Sequence, residues 1–214
     1  MDAYCERVGM GLLAEPLNAF SNLSFLLAAW AAWVLASRTG NLPAGARALI
    51  ALGASVGVGS ILWHTVPTML TLILDSVPTL IFIMWYIWLY ARNVVGMRPP
   101  FAVASAAAFL LATLLALPFS GVLHGAFVYA PGLVVTLVLG LFHARERRVA
   151  RYTLLAAAGV YLAALFFRTI ETEVCTVLPI GTHFLWHFLI GLVTYLAMRP
   201  LILSATTGAR AGVR

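Results

Sequence analysis

Long stretches of uncharged, apolar residues run through this chain, separated by short segments that carry arginine, proline or glycine. One helix needs about 20 consecutive apolar residues to cross the hydrocarbon core of a bilayer, so each stretch predicts a membrane-spanning helix. The predicted helices are Pro16–Ser37, Ala44–His64, Thr68–Ala91, Phe101–Leu117, Gly121–His143, Ala150–Phe167 and Gly181–Met198. We therefore predict an all-α bundle of seven transmembrane helices, which forms one integral-membrane domain over residues 1–214.

The charge content excludes a soluble protein. Soluble domains carry roughly 25% charged residues, whereas only 9% of the residues in this chain are charged and 63% are hydrophobic. Lipid must therefore cover most of the exterior. The net charge is +6, all 13 basic residues are arginines, and most of them lie in short segments between the apolar stretches. We interpret this distribution as a topology signal, and we do not expect a nucleic-acid partner.

The arginines predict the orientation of the chain. All of them except Arg7 and Arg168 fall on one side of the seven predicted helices. Loops rich in arginine remain in the cytoplasm, so the N-terminus is predicted outside and the C-terminus in the cytoplasm. An odd number of crossings agrees with that arrangement.

Five polar side chains inside the apolar stretches are the candidate site. Polar and ionisable groups at membrane depth are costly unless they are partnered, so they mark functional positions. Two pairs have the spacing that places both members on one helix face, and the predicted topology puts all five residues near the outer membrane surface. The five are Ser60, His64, Asp75, His183 and His187.

Three histidines from two distant helices are typical of a catalytic zinc site, in which the fourth position of the metal remains open. We predict that His64, His183 and His187 bind zinc, that Asp75 acts as general base and that Ser60 holds the attacking water or donates to the developing oxyanion. Two alternatives remain: histidines that only hydrogen-bond to neighbouring groups, and bis-histidine haem ligation. We predict structural roles for His124 and His143.

The N-terminal segment is unusually polar for the start of a membrane helix. Glu15, Asn18, Ser21 and Asn22 fall on roughly one helix face, which predicts helix capping and polar packing against the bundle. The two cysteines, Cys5 and Cys175, are both predicted outside. They either form a disulfide, which an oxidising compartment permits, or remain as two unpaired thiols.

The motifs YCE…AEPLNAFSN, GSILWHT…LDSVP and THFLWH occur in this order over nearly the whole chain. In combination they resemble the alkaline ceramidases and their bacterial relatives, which belong to a superfamily of seven-helix intramembrane hydrolases. The resemblance implies zinc held by the three histidines, with Ser60 and Asp75 around the attacking water. It also implies a Cys5–Cys175 disulfide and a bacterial plasma membrane location, while the arginine distribution predicts the site in the outer leaflet.

The activity implied by the resemblance is hydrolysis of the amide bond of a ceramide-like membrane lipid, which releases a fatty acid and a sphingoid base. Receptor relatives with a similar zinc constellation give a rival interpretation, in which the protein binds a ligand without hydrolysis. A haem-bearing electron carrier is a second rival.

The chain departs from the animal members of the family at their calcium site. The animal motif reads Asp-Trp-Cys-Glu with an Asn two residues on, and the corresponding positions here are Ala3, Tyr4, Cys5, Glu6 and Val8. Glu6 and Glu15 remain as a possible vestige of that site, so we do not expect calcium regulation of the animal type. The residue after Asp75, usually acidic in the family, is Ser76, which bears on substrate preference.

Overall fold

A computed structural model describes residues 4–211 of the chain except residues 8, 10, 39, 41 and 42, and for residues 205–211 it describes the backbone only. Every regular element in this part of the chain is helical. The α-helices are α1 (Pro16–Ser21), α2 (Leu23–Arg38), α3 (Ala44–Thr65), α4 (Met69–Tyr90), α5 (Pro99–Ala116), α6 (Ala130–Arg145), α7 (Thr153–Thr169) and α8 (His183–Ala211). The predicted all-α fold is confirmed.

Six helical segments in the described residues are long and apolar enough to cross a membrane, and α7 is a shorter apolar helix of the same character. Together they correspond to the seven predicted crossings, with α1 and α2 forming the first. The helices α2 to α8 pack in a closed ring in which each contacts the next, and α8 returns to α2. The short helix α1 packs against α3 and α8, which carry the candidate histidines.

The fifth predicted helix begins later than its apolar sequence indicates. We predicted a helix from Gly121, but Val122–Tyr129 forms 3-10 turns that contain Leu123, His124 and Gly125 with positive φ angles. Left-handed residues cannot continue an α-helix. The α-helix α6 therefore starts at Ala130, where Pro131 occupies the first turn.

The last helix continues beyond its predicted end at Met198. Proline usually interrupts a helix because it lacks an N–H, yet α8 runs through Pro200 to Ala211. Met198, Leu201 and Ile202 are buried in the main apolar cluster of the bundle. Packing on both sides of Pro200 therefore outweighs the lost hydrogen bond.

A close crossing of α3 and α4 fixes the level of the candidate site. A Cβ atom added to Gly59 would overlap the main-chain carbonyl of Leu74, so only glycine permits the two backbones to approach this closely. Ser60 follows Gly59 on α3, and Asp75 follows Leu74 on α4. The contact therefore brings two of the predicted site residues to the same level.

Candidate metal centre

The three predicted histidines meet at one end of the bundle. His64 lies in the last turn of α3, and His183 and His187 lie in the first two turns of α8. Their candidate ligand atoms all lie within 4.8 Å of one another, and all three side chains are buried. The spacing of four residues places His183 and His187 on one face of α8, as predicted.

His64 is oriented by a carboxylate. Its Nδ1 donates a hydrogen bond to Glu15 Oε2 at 2.5 Å, which leaves Nε2 as the nitrogen available to a metal. Glu15 also forms an ion pair with the Arg7 guanidinium. Burial opposes ionisation of Glu15, but its bond to His64 and the neighbouring Arg7 hold its pKa below the ordinary value.

His187 is oriented by α1 and the residue that follows it. Its Nδ1 lies 2.8 Å from Ser21 Oγ and 3.1 Å from the main-chain oxygen of Asn18, and Asn22 Nδ2 lies 3.3 Å away. Oxygen acceptors on Nδ1 fix the tautomer that presents the Nε2 lone pair to a metal. The polar face predicted in the N-terminal segment thus contacts two of the three histidines, a more specific role than the predicted capping and polar packing.

The surroundings of His183 are different. The Tyr4 ring stacks on its imidazole with ring centroids 4.1 Å apart, and Arg168 Nη1 lies 3.3 Å from its Nδ1. The nearest polar partner of His183 is therefore a cation, whereas His64 and His187 have oxygen acceptors.

Asp75 and Ser60 face the triad across the α3–α4 crossing. The Ser60 hydroxyl lies close enough to the Asp75 carboxylate to interact with it. Both residues line one cavity together with the three histidines. A carboxylate and a hydroxyl beside converging imidazoles are suited to proton transfer at a molecule bound in that cavity.

The donor set fits a zinc ion. Three imidazoles, two of which have their other nitrogen held by an oxygen acceptor, are what a catalytic zinc site requires of its protein ligands. Among the residues that the structure describes, this triad is the cluster of candidate ligands close enough to share an ion. The arrangement can hold a metal ion, as predicted.

The cavity extends from the triad into the apolar interior of the bundle and has a volume of about 480 Å³. Most of its lining is aliphatic or aromatic, which suits an acyl chain. Its apolar lining includes Phe25, Val56, Leu80, Ile83, Phe109, Leu139, Leu154 and Ile190.

A cross-linked layer covers the site end of the bundle. Cys5 and Cys175 form a disulfide, as predicted. Glu171, which the sequence did not suggest as important, accepts hydrogen bonds from the main-chain N–H groups of Cys5 at 2.9 Å and Thr182 at 2.5 Å. The disulfide and Glu171 together hold Tyr4 and the start of α8 in place.

Glu6 acts as a cap for the short helix α1. Its carboxylate accepts from the main-chain N–H groups of Leu17 at 2.6 Å and Asn18 at 2.8 Å. Both carboxylates of the possible calcium vestige, Glu6 and Glu15, therefore have partners within the protein. The compared positions Ala3 and Val8 lie outside the described residues.

The remaining two histidines lie apart from the triad. His143 is fully buried in the last turn of α6, where Tyr90 and the Val149 main-chain oxygen bind its two ring nitrogens. His124 is exposed and contacts Glu173 at 3.3 Å. Neither shares a ligand cluster with another described histidine.

Comparison with known proteins agrees with the motifs. The family model described as Ceramidase matches residues 3–210, which is nearly the whole chain. No curated protein matches the sequence.

Proposed function

This chain belongs to the ceramidase family, and we propose that it is a zinc-dependent amidohydrolase embedded in the membrane. Its substrate is a ceramide-like N-acyl lipid, and its products are a fatty acid and a sphingoid base. The observation that carries the proposal is the convergence of His64, His183 and His187 at one end of an apolar cavity.

His64, His183 and His187 would hold a zinc ion, which would supply Lewis-acid activation of the amide carbonyl and of a water molecule near neutral pH. Asp75 accepts the proton of the attacking water and later returns a proton to the nitrogen of the departing amine. The Ser60 hydroxyl first donates to the ionised Asp75 carboxylate, and once Asp75 is protonated the single hydroxyl proton is free to turn to the carbonyl oxygen as negative charge develops there. Net, one water molecule is consumed and the C–N bond breaks.

The residues that hydrogen-bond to the candidate ligands support this arrangement. Glu15 holds His64, and Ser21 and the Asn18 main chain hold His187. Such outer hydrogen bonds fix ring orientation and raise ligand basicity. A packing-only role for the histidines would not require a candidate ligand atom of each to lie within 4.8 Å of the others.

The location of the site is also part of the proposal. We assign the site end to the outer leaflet of a plasma membrane, with the C-terminus in the cytoplasm. The Cys5–Cys175 disulfide at the site end favours an oxidising exterior, and Arg92, Arg145 and Arg199 lie towards the opposite end. Labelling of single introduced cysteines with a membrane-impermeant reagent in intact cells tests this orientation.

The experiment that tests the activity uses purified protein and an N-acyl sphingoid lipid labelled in the acyl chain. We expect release of labelled fatty acid and about one zinc per chain. His183→Ala should lose both while remaining in the membrane fraction, whereas the matched control His124→Ala, at the same end but outside the triad, should retain both. Full activity of His183→Ala would refute the assignment.

The same preparation separates the rival interpretations. A receptor of the same architecture would bind zinc but release no fatty acid from any N-acyl lipid. A haem carrier would show a Soret band in its visible spectrum, and the presence of that band without zinc would exclude the hydrolase. Three converging imidazoles favour zinc, since haem takes two axial histidines.

A further inference from the structure

Arg168 places a positive charge inside the cavity that contains the triad. It lies in the last turn of α7 and lines the same cavity as the three histidines and Asp75. From the sequence, Arg168 was predicted only to be one of two arginines on the outer side of the membrane. Its surroundings give it a more specific function.

The Arg168 guanidinium is held mainly by aromatic rings. Its central carbon lies 4.8 Å from the ring centroid of Tyr129 and 5.2 Å from that of Trp186. Nη1 contacts His183 at 3.3 Å, and the buried Nε has no hydrogen-bond partner among the described residues. Stacked rings hold the guanidinium plane without accepting from its N–H donors, and the Tyr4 side chain is a further polar neighbour.

The charge of Arg168 also lacks a close counter-ion. Among the described residues no carboxylate lies within 4 Å of it, and Asp75 acts on it only from a greater distance. The other arginine of the site end, Arg7, pairs directly with Glu15. Charges removed from water are normally paired, so Arg168 has unused capacity for an anion that enters the cavity.

The chemistry of that anion follows from the guanidinium itself. A planar fork of N–H donors matches a planar carboxylate through two parallel hydrogen bonds. Because Arg168 contacts His183, an anion on Arg168 would lie beside the scissile amide of a lipid bound at the triad. The corresponding group in ceramide itself is an uncharged hydroxymethyl group next to the amide nitrogen.

We propose that the site also takes N-acyl amino acid lipids, whose α-carboxylate binds Arg168 while the amide lies at the triad. This inference rests on the proposed hydrolase function and adds a second class of substrate to it. The reaction remains hydrolysis of the amide, with water consumed and a fatty acid and an amino acid released. Arg168 makes contact with the carboxylate and takes no part in proton transfer.

The test compares two amides that differ only in the predicted group, N-lauroyl-alanine and N-lauroyl-alaninol, in detergent micelles. Wild-type protein should cleave the acid with a kcat/KM at least about tenfold higher than the alcohol. Arg168→Gln should lose about 10- to 100-fold on the acid, the usual loss for a charged hydrogen-bond partner, and less than about threefold on the alcohol. Arg151→Gln, a basic residue just before the other end of α7, should leave both values unchanged.

Zinc content and melting temperature establish that the Arg168→Gln protein is intact. Arg168→Lys is a second variant, which keeps the positive charge but lacks the paired N–H donors of the planar guanidinium. Its preference for the acid should lie between those of wild type and Arg168→Gln. If Arg168→Gln does not fold, the wild-type ratio and the Arg168→Lys ratio still decide the matter.

Three results would overturn the inference. Equal cleavage of acid and alcohol by wild type would show that the carboxylate is not recognised. The proposed hydrolase function would still stand in that case. An equal loss on both substrates in Arg168→Gln would assign Arg168 to the reacting carbonyl. A preference for N-lauroyl-ethanolamine phosphate over N-lauroyl-alanine would assign the site to a phosphate. Failure of wild type to cleave any amide, including ceramide, would contradict the proposed function itself.

Discussion

Buried histidines lie at both ends of the bundle, and their ring nitrogens have different partners at the two ends. At the end where α4 and α6 finish, His143 has Tyr90 on one ring nitrogen and the Val149 carbonyl on the other, each at 2.8 Å. At the other end, His64 and His187 have protein partners on Nδ1, and candidate ligand atoms of His64, His183 and His187 lie within 4.8 Å of one another.

The comparison teaches that burial alone does not identify a functional histidine. His143 is as inaccessible as His64, yet its hydrogen-bonding capacity is used up by the protein. A structural histidine has both nitrogens satisfied, whereas a metal ligand keeps one nitrogen for the ion and has the other fixed by an acceptor.

The largest expected effect contrasts His187→Ala with His143→Ala. Loss of a metal ligand should remove zinc and reduce fatty-acid release by at least about 1,000-fold, since the metal is worth several kcal/mol to the reaction. His143→Ala should keep zinc and activity within about twofold, but lose about 1–3 kcal/mol of unfolding free energy because Tyr90 loses its partner. Metal analysis and thermal unfolding check both. Zinc loss in His143→Ala would break the comparison.

Glycine substitutions on α3 compare the helix contacts at the two ends. Gly59→Ala forces a Cβ against the Leu74 carbonyl and should lower the unfolding free energy by about 3 kcal/mol. Gly45→Ala meets only the end of the Leu89 side chain, 2.8 Å away, which can move, so the change should remain within about 1 kcal/mol. Thermal unfolding in detergent measures both. Equal effects would show that the site end is not held by backbone contact.

Glu15→Gln tests the acceptor on His64. The amide keeps the shape but loses the charge that supports the imidazole and balances Arg7, so the zinc dissociation constant should rise about 10- to 100-fold. Tyr90→Phe, which removes the corresponding partner of His143, should leave zinc affinity unchanged. A competitive chelator titration reports both values, and an unchanged zinc affinity in Glu15→Gln would remove Glu15 from the site.

The smallest effect is expected from Ser21→Ala. The Asn18 main-chain oxygen remains as an acceptor for His187, so the zinc dissociation constant should rise only about fivefold, the worth of one neutral hydrogen bond. The same chelator titration measures it. A loss as large as that of Glu15→Gln would mean that the hydroxyl, not the main chain, fixes the tautomer of His187.

The helices and one pair of ligands were predictable because both depend on local patterns, and the predicted topology placed His64 at the same level as that pair. Apolar length located the crossings, and the spacing of His183 and His187 put two ligands on one face. The sequence did not indicate the late start of α6, where Leu123 and His124 adopt left-handed conformations, because no glycine or proline marks those two positions.

The contacts around the ligands depend on tertiary structure and could not be read from spacing. Glu15 meets His64 from 49 residues away, and Glu171 meets Cys5 from 166 residues away. The polarity of the N-terminal segment gave a signal for Glu15, since a carboxylate beside an apolar stretch needs a partner. Arg168 gave no comparable signal, because an arginine at a helix end is usually interpreted as topology.

The order in which the ligands are synthesised has a consequence for biogenesis. His64 belongs to α3, whereas His183 and His187 belong to α8, and the layer over them joins Cys5 to Cys175. A ribosome must therefore extend nascent polypeptide beyond α8 before the ion-binding pocket can assemble. Until that moment the growing protein inserts into the bilayer with its candidate ligands still apart.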